Sequence, residues 1–328
     1  MTPLSAARDN VITQALLKDP QIPTMTLAKR LVKEHGDIFQ SVEDARTAVR
    51  HRRGEVGNKR RKWAKFDNTD KRRINVPDSD PSPEKTEPVN VSLEGYGTII
   101  SDLHIPYHSK PAIEAALEHS DKNNAMDWLF INGDFVDFYG VSKFSRNPNT
   151  RRIKEELEMA KAFLVELAKY YPRIVYKLGN HERRFINYLY TTAPEIADMK
   201  CLSFEELFNV GNVEIIQPQQ IAHCGEYLTI MHGHEFPSGI ASPVNPARGA
   251  FLKAKNNCIV GHQHKVSEHV ETDIRRTVIS TFSLGCLCDL NPPYAPVNSY
   301  VHGFAQMHMD GNDFEVNNYR ITNNMKVR

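Results

Sequence analysis

Five clusters of chemistry-bearing residues punctuate the sequence: Asp102-Leu-His104, Gly133-Asp134, Gly179-Asn180-His181-Glu182, His232-Gly-His234 and Gly261-His262-Gln-His264. Each follows a short apolar, β-rich run, so each falls where a strand gives way to a loop. Singly they say little, because Asp after Gly is ordinary turn chemistry and a lone His at a strand end is usually a hydrogen-bonded surface residue. Five in succession point to a ligand site, since open α/β sheets bind ligands beyond the carboxyl ends of their strands. The donors are Asp and Asn oxygens with His nitrogens, a mixed hard and borderline set that suits Mn²⁺, Zn²⁺ or Fe better than Ca²⁺. Two such ions about 3.5–4 Å apart need one shared carboxylate, and Asp134, after the central strand, is placed to supply it.

The elements that must position these clusters alternate. Strands over 97–101, 128–132 and 173–178 are separated by helical patterns over 112–119 and 152–171, which argues for a βαβ core with helices covering the sheet. Beyond residue 213 the pattern turns mostly to strands, over 214–216, 227–231, 258–260, 276–282, 300–308 and 314–321. Ahead of this lies a segment rich in Pro, Ser and acidic residues, too polar to bury a core, which reads as a linker over 74–95. It divides a small domain over 1–73 from a large one over 96–328.

Three helical patterns fill the first fifty residues, over 6–18, 26–35 and 41–53. The third opens with Ser41-Val-Glu-Asp44, close to a capping box. On it Arg46, Arg50 and Arg53 fall at i, i+4 and i+7 on one face, while Ala45, Ala48 and Val49 line another. Between Arg46 and Arg73 stand 12 Lys or Arg against 3 acids, whereas the whole chain carries a net charge of +1. A concentrated basic segment suits a polyanion, and the pattern resembles a helix-turn-helix module whose last helix meets DNA. A three-helix unit for protein contacts with a merely solvated charge run fits the same residues.

The apolar fraction of 40% and charged fraction of 25% are those of a globular protein, and no apolar run approaches the ~20 residues of a membrane span. No secretory signal precedes the helices, so a cytoplasmic location and no membrane partner are expected. Five cysteines are too few for a disulfide scaffold and are read as reduced thiols. Cys286-Leu-Cys288 is a C-x-C, short of the four ligands of a tetrahedral zinc site.

The five clusters in this order resemble the motif string of the calcineurin-like metallophosphoesterases, D-x-H, G-D, G-N-H-[DE], H and G-H-x-H, over roughly residues 96–308. The resemblance implies a four-layer αββα sandwich in an α/β (α+β) class, here preceded by the small basic three-helix domain, a layout similar to some phage-encoded phosphoesterases. It implies that Asp102, His104, Asp134 and His264 hold one divalent metal and Asp134, Asn180, His232 and His262 the other, with Mn²⁺ foremost and Zn²⁺, Fe or Ni²⁺ as alternatives. The doublet leaves open whether His232 or His234 is the ligand. His181 matches the family's unligated histidine, which protonates the leaving oxygen, and Glu182 is placed to orient that imidazole or brace Asn180. Arg183, Arg184 and Arg248 are candidate contacts for substrate phosphate.

That reading gives a dinuclear-metal phosphodiesterase, most simply a nuclease acting on DNA or RNA through a metal-bridging hydroxide with Asp134 and His181 at the catalytic centre. Arg46, Arg50 and Arg53 would hold the nucleic acid. Gly133-Asp-Phe-Val-Asp137-Phe lacks the arginine that phosphoprotein phosphatases carry after the second Asp, and Ile105-Pro-Tyr-His108 lacks a glycine common in nucleases that pair with repair ATPases. Two alternatives remain: a hydrolase for a small phosphorylated molecule or a phosphoprotein, and a nucleic-acid-binding protein with an idle phosphoesterase domain.

Overall fold

The computed structural model describes residues 3–56, 78–79, 86–142, 152–237, 239–240, 244–293 and 295–328. The chain divides into two compact units, 1–81 and 82–328. Among the described residues no helix is long and apolar enough to cross a membrane.

The first unit holds three helices, α1 (Pro3–Lys18), α2 (Thr24–Glu34) and α3 (Val42–Arg52), around Ile12, Leu27, Leu31, Phe39, Ala45 and Val49. Ser41 caps α3, its hydroxyl accepting from the Asp44 amide at 3.1 Å, while the Asp44 carboxylate accepts from the Gln40 amide and from Arg8. The face read for nucleic acid is modified by its own pairings. Arg46 and Arg50 form exposed ion pairs with Glu43 and Glu55, but the half-buried Arg53 donates to Thr24 Oγ1 and to the Ile22 carbonyl. Arg53 therefore ties the end of α3 to the turn before α2, so its two terminal guanidinium nitrogens already have partners within the unit. The rest of the basic segment, Lys59 to Arg73, lies outside the described residues.

The second unit contains two six-stranded sheets. In chain order its strands are β1 (Val89–Asn90), β2 (Gly95–Ile100), β3 (Leu129–Asn132), β4 (Ile174–Lys177), β5 (Val213–Ile216), β6 (Ala222–Cys224), β7 (Leu228–Met231), β8 (Asn257–Val260), β9 (Ser267–Thr272), β10 (Val278–Ser283), β11 (His302–Asp310) and β12 (Asp313–Ile321). Its helices are α4 (Lys110–Lys122), α5 (Ile153–Leu167), α6 (Asn180–Thr192), α7 (Phe204–Leu207) and α8 (Pro246–Ala254). One sheet runs β12-β11-β2-β3-β4-β5 and the other β1-β6-β7-β8-β10-β9. The pleat sends alternate residues to opposite faces. Ile99, Phe130 and Val175 point into the core between the sheets with Ile230, Ile259 and Phe282, whereas Ile100, Ile131 and Tyr176 pack beneath Ala116 of α4 and Leu164 of α5. Ala250 of α8 packs on Met231 and Val260 from the outer face of the second sheet. The layers are thus helix, sheet, sheet, helix, the expected αββα sandwich.

Three local readings change. Val89–Asn90 pairs with β6, and Val91 and Leu93 are buried between the sheets, so the larger unit begins inside the stretch read as a linker to residue 95. The segment after Gly179, read as a loop, is the start of α6. A further helix, α8, interrupts the strand-rich second half.

Candidate metal centre

Strands β2, β3 and β4 are parallel neighbours in one sheet, and β7 and β8 are parallel neighbours in the other. Their carboxyl ends therefore deliver Asp102 and His104, Asp134, Asn180, His232, and His262 and His264 to one place. Five of these residues take positive φ, Asp102 (55°), His104 (54°), Asp134 (49°), His262 (66°) and His264 (53°). Left-handed backbone at non-glycine residues costs on the order of 1–3 kcal/mol each and persists where the surroundings over-determine it. Gly133 (φ +83°) and Gly179 are required by close approach: a Cβ on Gly133 would lie 2.3 Å from His232 Nδ1, and one on Gly179 would lie 2.3 Å from Asp134 Oδ1. The motif glycines let one ligand loop lie against the next.

Hydrogen bonds aim the rings. His104 donates through Nδ1 to Asp137 Oδ1 at 2.9 Å, and His232 through Nδ1 to the Asn132 carbonyl at 2.7 Å, which turns both Nε2 atoms toward the centre. His232 Nε2 then lies 3.2 Å from Asp134 Oδ2 and 3.2 Å from Asn180 Oδ1. His104 Nε2 lies 3.2 Å from His264 Nε2 and 3.8 Å from Asp134 Oδ2, and His264 Nε2 lies 3.1 Å from Asp102 Oδ1. Donors of one ion at about 2.0–2.2 Å stand at such separations. Asp134 faces both groups of histidines. Its other oxygen accepts from the His181 amide at 2.9 Å, at the N-terminus of α6.

The electrostatics match this donor set. Burial alone would raise the Asp102 and Asp134 carboxyls, yet His264 and His232 beside Asp102, and His232 and His181 beside Asp134, hold both well below the usual range. Reciprocally, burial would lower the ring of His232, but Asp134 and Asp102 push it up to about 10; Asp102 does the same for His264, also to about 10. The fully buried carboxylates thus demand positive charge, which protons on these rings or a metal cation can satisfy. His262 is pushed down to about 4 by burial and by the neighbouring His232 ring. Asp134, His232 and His262 present ligand atoms all within 4.8 Å of one another. The residues fit a divalent metal centre.

His181 adjoins these groups: its Nε2 lies 3.8 Å from Asp134 Oδ2, and with His104 and Asp134 it presents ligand atoms within 4.8 Å of one another. Its Nδ1 donates to the Asp137 carbonyl at 2.8 Å and lies 3.2 Å from Asp137 Oδ1, and its Nε2 lies 3.1 Å from Arg184 Nη2. Burial opposes a charge on this ring, but Asp134 and Asp137 outweigh it and raise its pKa. Asp137, quoted in the sequence only as part of a subfamily comparison, is the residue that orients both His104 and His181. Glu182 does not touch the His181 imidazole; it accepts from the amides of Gly179 (2.7 Å), Asp134 (3.1 Å) and Val136 (3.0 Å) and from the Tyr176 hydroxyl (2.7 Å). It staples the Asp134 loop to the start of α6.

His232 points into the centre. His234 lies behind it, ring centroids 5.5 Å apart, buried with neither ring nitrogen hydrogen-bonded, and is pushed down to about 3 by burial. A residue unread in the sequence completes this corner: Glu235 accepts from the His232 and Gly233 amides and pairs at 2.8 Å with Lys177, which is fully buried at the end of β4. Of the three candidate phosphate arginines, Arg184 lines the cavity over the centre and also donates to the Asp137 carbonyl; Arg183 does not line it, and Arg248 is exposed on α8. That cavity encloses about 690 Å³, with Tyr139, Tyr300 and Pro293 on its walls.

A buried ring of Asp, Asn and His donors at the joined edges of two sheets, with a further histidine beside it, defines a metal-dependent phosphoester hydrolase. The sequence profile of the Calcineurin-like phosphoesterase family matches residues 98–266, just over half the chain, and the chain belongs to that family. It is similar to the Gene 54 protein of Mycobacterium phage L5, 24% identical over 175 residues that span 51% of this chain and 68% of that protein. It is also similar to the Gene 54 protein of Mycobacterium phage D29, 27% identical over 177 residues with the same coverage. Among solved structures it is similar to Vacuolar Protein Sorting 29 from Cryptosporidium parvum (TM-score 0.39, 16% identity, 71% of this chain and 94% of that one). Wild-type Vps29 complexed with Zn²⁺ from Entamoeba histolytica is a second such structure (TM-score 0.37, 12% identity, 71% of this chain and 96% of that one).

Proposed function

We propose that the chain is a dinuclear-metal phosphodiesterase acting on nucleic acid. The observation that carries the metal part is the position of Asp134 between two groups of donors: Asp102, His104 and His264 on one side, Asn180, His232 and His262 on the other. Two divalent cations held by these seven residues would supply a water of lowered pKa and neutralise phosphate oxygens. The chain's own groups do the rest. Arg184 reaches the cavity beside His181 and binds a phosphoryl oxygen in a charge-assisted contact. His181, anchored through Nδ1 on Asp137, presents Nε2 to the leaving oxygen and protonates it as the ester bond breaks. Asp137 and Glu182 hold that geometry without touching substrate.

The nucleic-acid part rests on the basic segment ahead of the catalytic unit, which would keep a polyanion near the site. The cavity volume also lies within the range for small ligands, which favours a small phosphodiester as the second reading. Metal-dependent release from single-stranded DNA, duplex DNA, RNA and an aryl phosphodiester, measured on the full chain and on a variant with Lys59, Arg60, Arg61 and Lys62 changed to Ala, separates the two. A nuclease loses turnover of long polymers and keeps the aryl diester. Equal rates for both proteins on all four substrates leave the small-molecule hydrolase.

A further inference from the structure

We propose that Cys288 is a ligand at the metal position formed by Asp102, His104 and His264, giving that position a thiolate donor and a preference for Zn²⁺, Fe²⁺ or Co²⁺ over Mn²⁺. The inference rests on the metal centre proposed above and specifies its chemistry. As a bare C-x-C, Cys286-Leu-Cys288 lacks the further ligands of a metal site, and the fold supplies them from elsewhere in the chain. The segment between β10 and β11 crosses behind the Asp102 loop: the Leu287 amide donates to the Asp102 carbonyl at 3.1 Å, and the backbones of Cys288 and His108 pair as an antiparallel bridge. Cys288 is thereby fixed against the loop that carries two of the ligands.

The ligand atoms of His104, His264 and Cys288 all lie within 4.8 Å of one another, and all three residues are buried. Metal–sulfur and metal–nitrogen bonds of about 2.3 and 2.1 Å hold such donors at most about 4.4 Å apart, so the set draws together on binding one ion. Three of the other four cysteines have different surroundings. Cys224 packs among apolar side chains between the sheets, Cys258 packs beneath α8, and Cys201 is exposed. A thiolate is a soft donor, and soft donors favour Zn²⁺, Fe²⁺ and Co²⁺ over Mn²⁺ or Mg²⁺.

The test is anaerobic titration of the metal-free full chain with Co²⁺, read by absorption. The wild-type protein is expected to show the visible ligand-field bands of bound Co²⁺ together with a near-ultraviolet sulfur-to-cobalt charge-transfer band. Cys288→Ser and Cys288→Ala are expected to keep the visible bands and lose the charge-transfer band, and Cys286→Ser to keep both. Competition between Zn²⁺ and Mn²⁺ should shift toward Mn²⁺ by roughly tenfold or more in Cys288→Ser. Visible bands without a charge-transfer band in the wild type would overturn the assignment of Cys288 and leave the metal centre standing. Absence of any Co²⁺ bands would overturn the metal centre itself, and with it this proposal. Because the wild type alone gives a decisive spectrum, an unfolded variant does not blunt the test.

Discussion

Changing Glu235 to Gln breaks an ion pair that joins the two sheets beneath the metal centre. Lys177, at the end of β4, is 0% exposed and Glu235, after β7, is 10% exposed. The ammonium also donates to the carbonyls of Leu178 (2.8 Å) and Pro218 (2.9 Å). Burial would raise the Glu235 carboxyl, but Lys177 brings it down to about 2 from the ordinary 4.5. With His234 and His232 adding to Lys177, that net difference corresponds to about 3 kcal/mol in favour of the ionised carboxylate. Burial pushes the Lys177 ammonium down despite Glu235, so desolvation returns part of that attraction and the intact pair adds little net stability. Removing one partner is different, because it strands the other charge: Glu235→Gln and Lys177→Met should each cost about 3–5 kcal/mol. The Glu235 contribution is fully present above about pH 4.5 and is lost as pH falls through about 2. Denaturant unfolding of the wild type, both single variants and the double variant measures this. The double variant should be less destabilised than the sum of the singles by about 2 kcal/mol or more. Losses that simply add would refute the reasoning. Glu235→Gln should also weaken metal binding more than Lys177→Met does, since only Glu235 holds the His232 and Gly233 amides.

Three further outcomes are expected. His181→Ala should retain its metals by elemental analysis while kcat falls by about 10²–10⁴, with partial rescue by a leaving group of low pKa; loss of metal would make His181 a ligand. Glu156 on α5 is fully buried, and burial with the nearby Asp137 carboxylate pushes it up to about 8 from 4.5. The folded state then keeps a proton that the unfolded chain has released, so stability should fall as pH rises from about 4.5 to about 8, and Glu156→Gln should lose that slope in unfolding measured across the window. Arg46→Ala with Arg50→Ala should flatten log K against log salt by about 0.9 per lost contact on duplex DNA, whereas Arg53→Ala should instead destabilise the three-helix unit by about 1–3 kcal/mol; identical salt slopes would reduce the pair to a solvated face.

The donors of the centre were legible because each stands at the end of its own apolar strand, so order along the chain and chemistry at the sheet edge coincide. Asp102, Asp134, Asn180, His232 and His262 are all of this kind. What was illegible came from contacts between distant segments. Lys177 meets Glu235 across two sheets, and Cys288 reaches the site on the segment before β11, which returns antiparallel to β2. Its position beside His181 and Asn180 suggests that Glu182 partners them, but two of its four partners lie on the Asp134 loop, 46 to 48 residues away. The linker reading of 74–95 failed at its end because the alternation of Val89, Val91 and Leu93 is masked by the polar residues around it. Helix α6 escaped because its first turn is itself the Gly179-Asn180-His181-Glu182 motif, whose residue types read as a loop.

The most direct measurement is metal stoichiometry on the full-length protein, by elemental analysis after equilibration with excess divalent metal and removal of the free ion, for the wild type and for Asp134→Asn. Sharing of Asp134 between two donor groups predicts two ions per wild-type chain, fewer than two in the variant, and loss of nearly all aryl phosphodiester turnover. A wild type that binds at most one ion, or an Asp134→Asn variant that keeps two ions and full turnover, would contradict it.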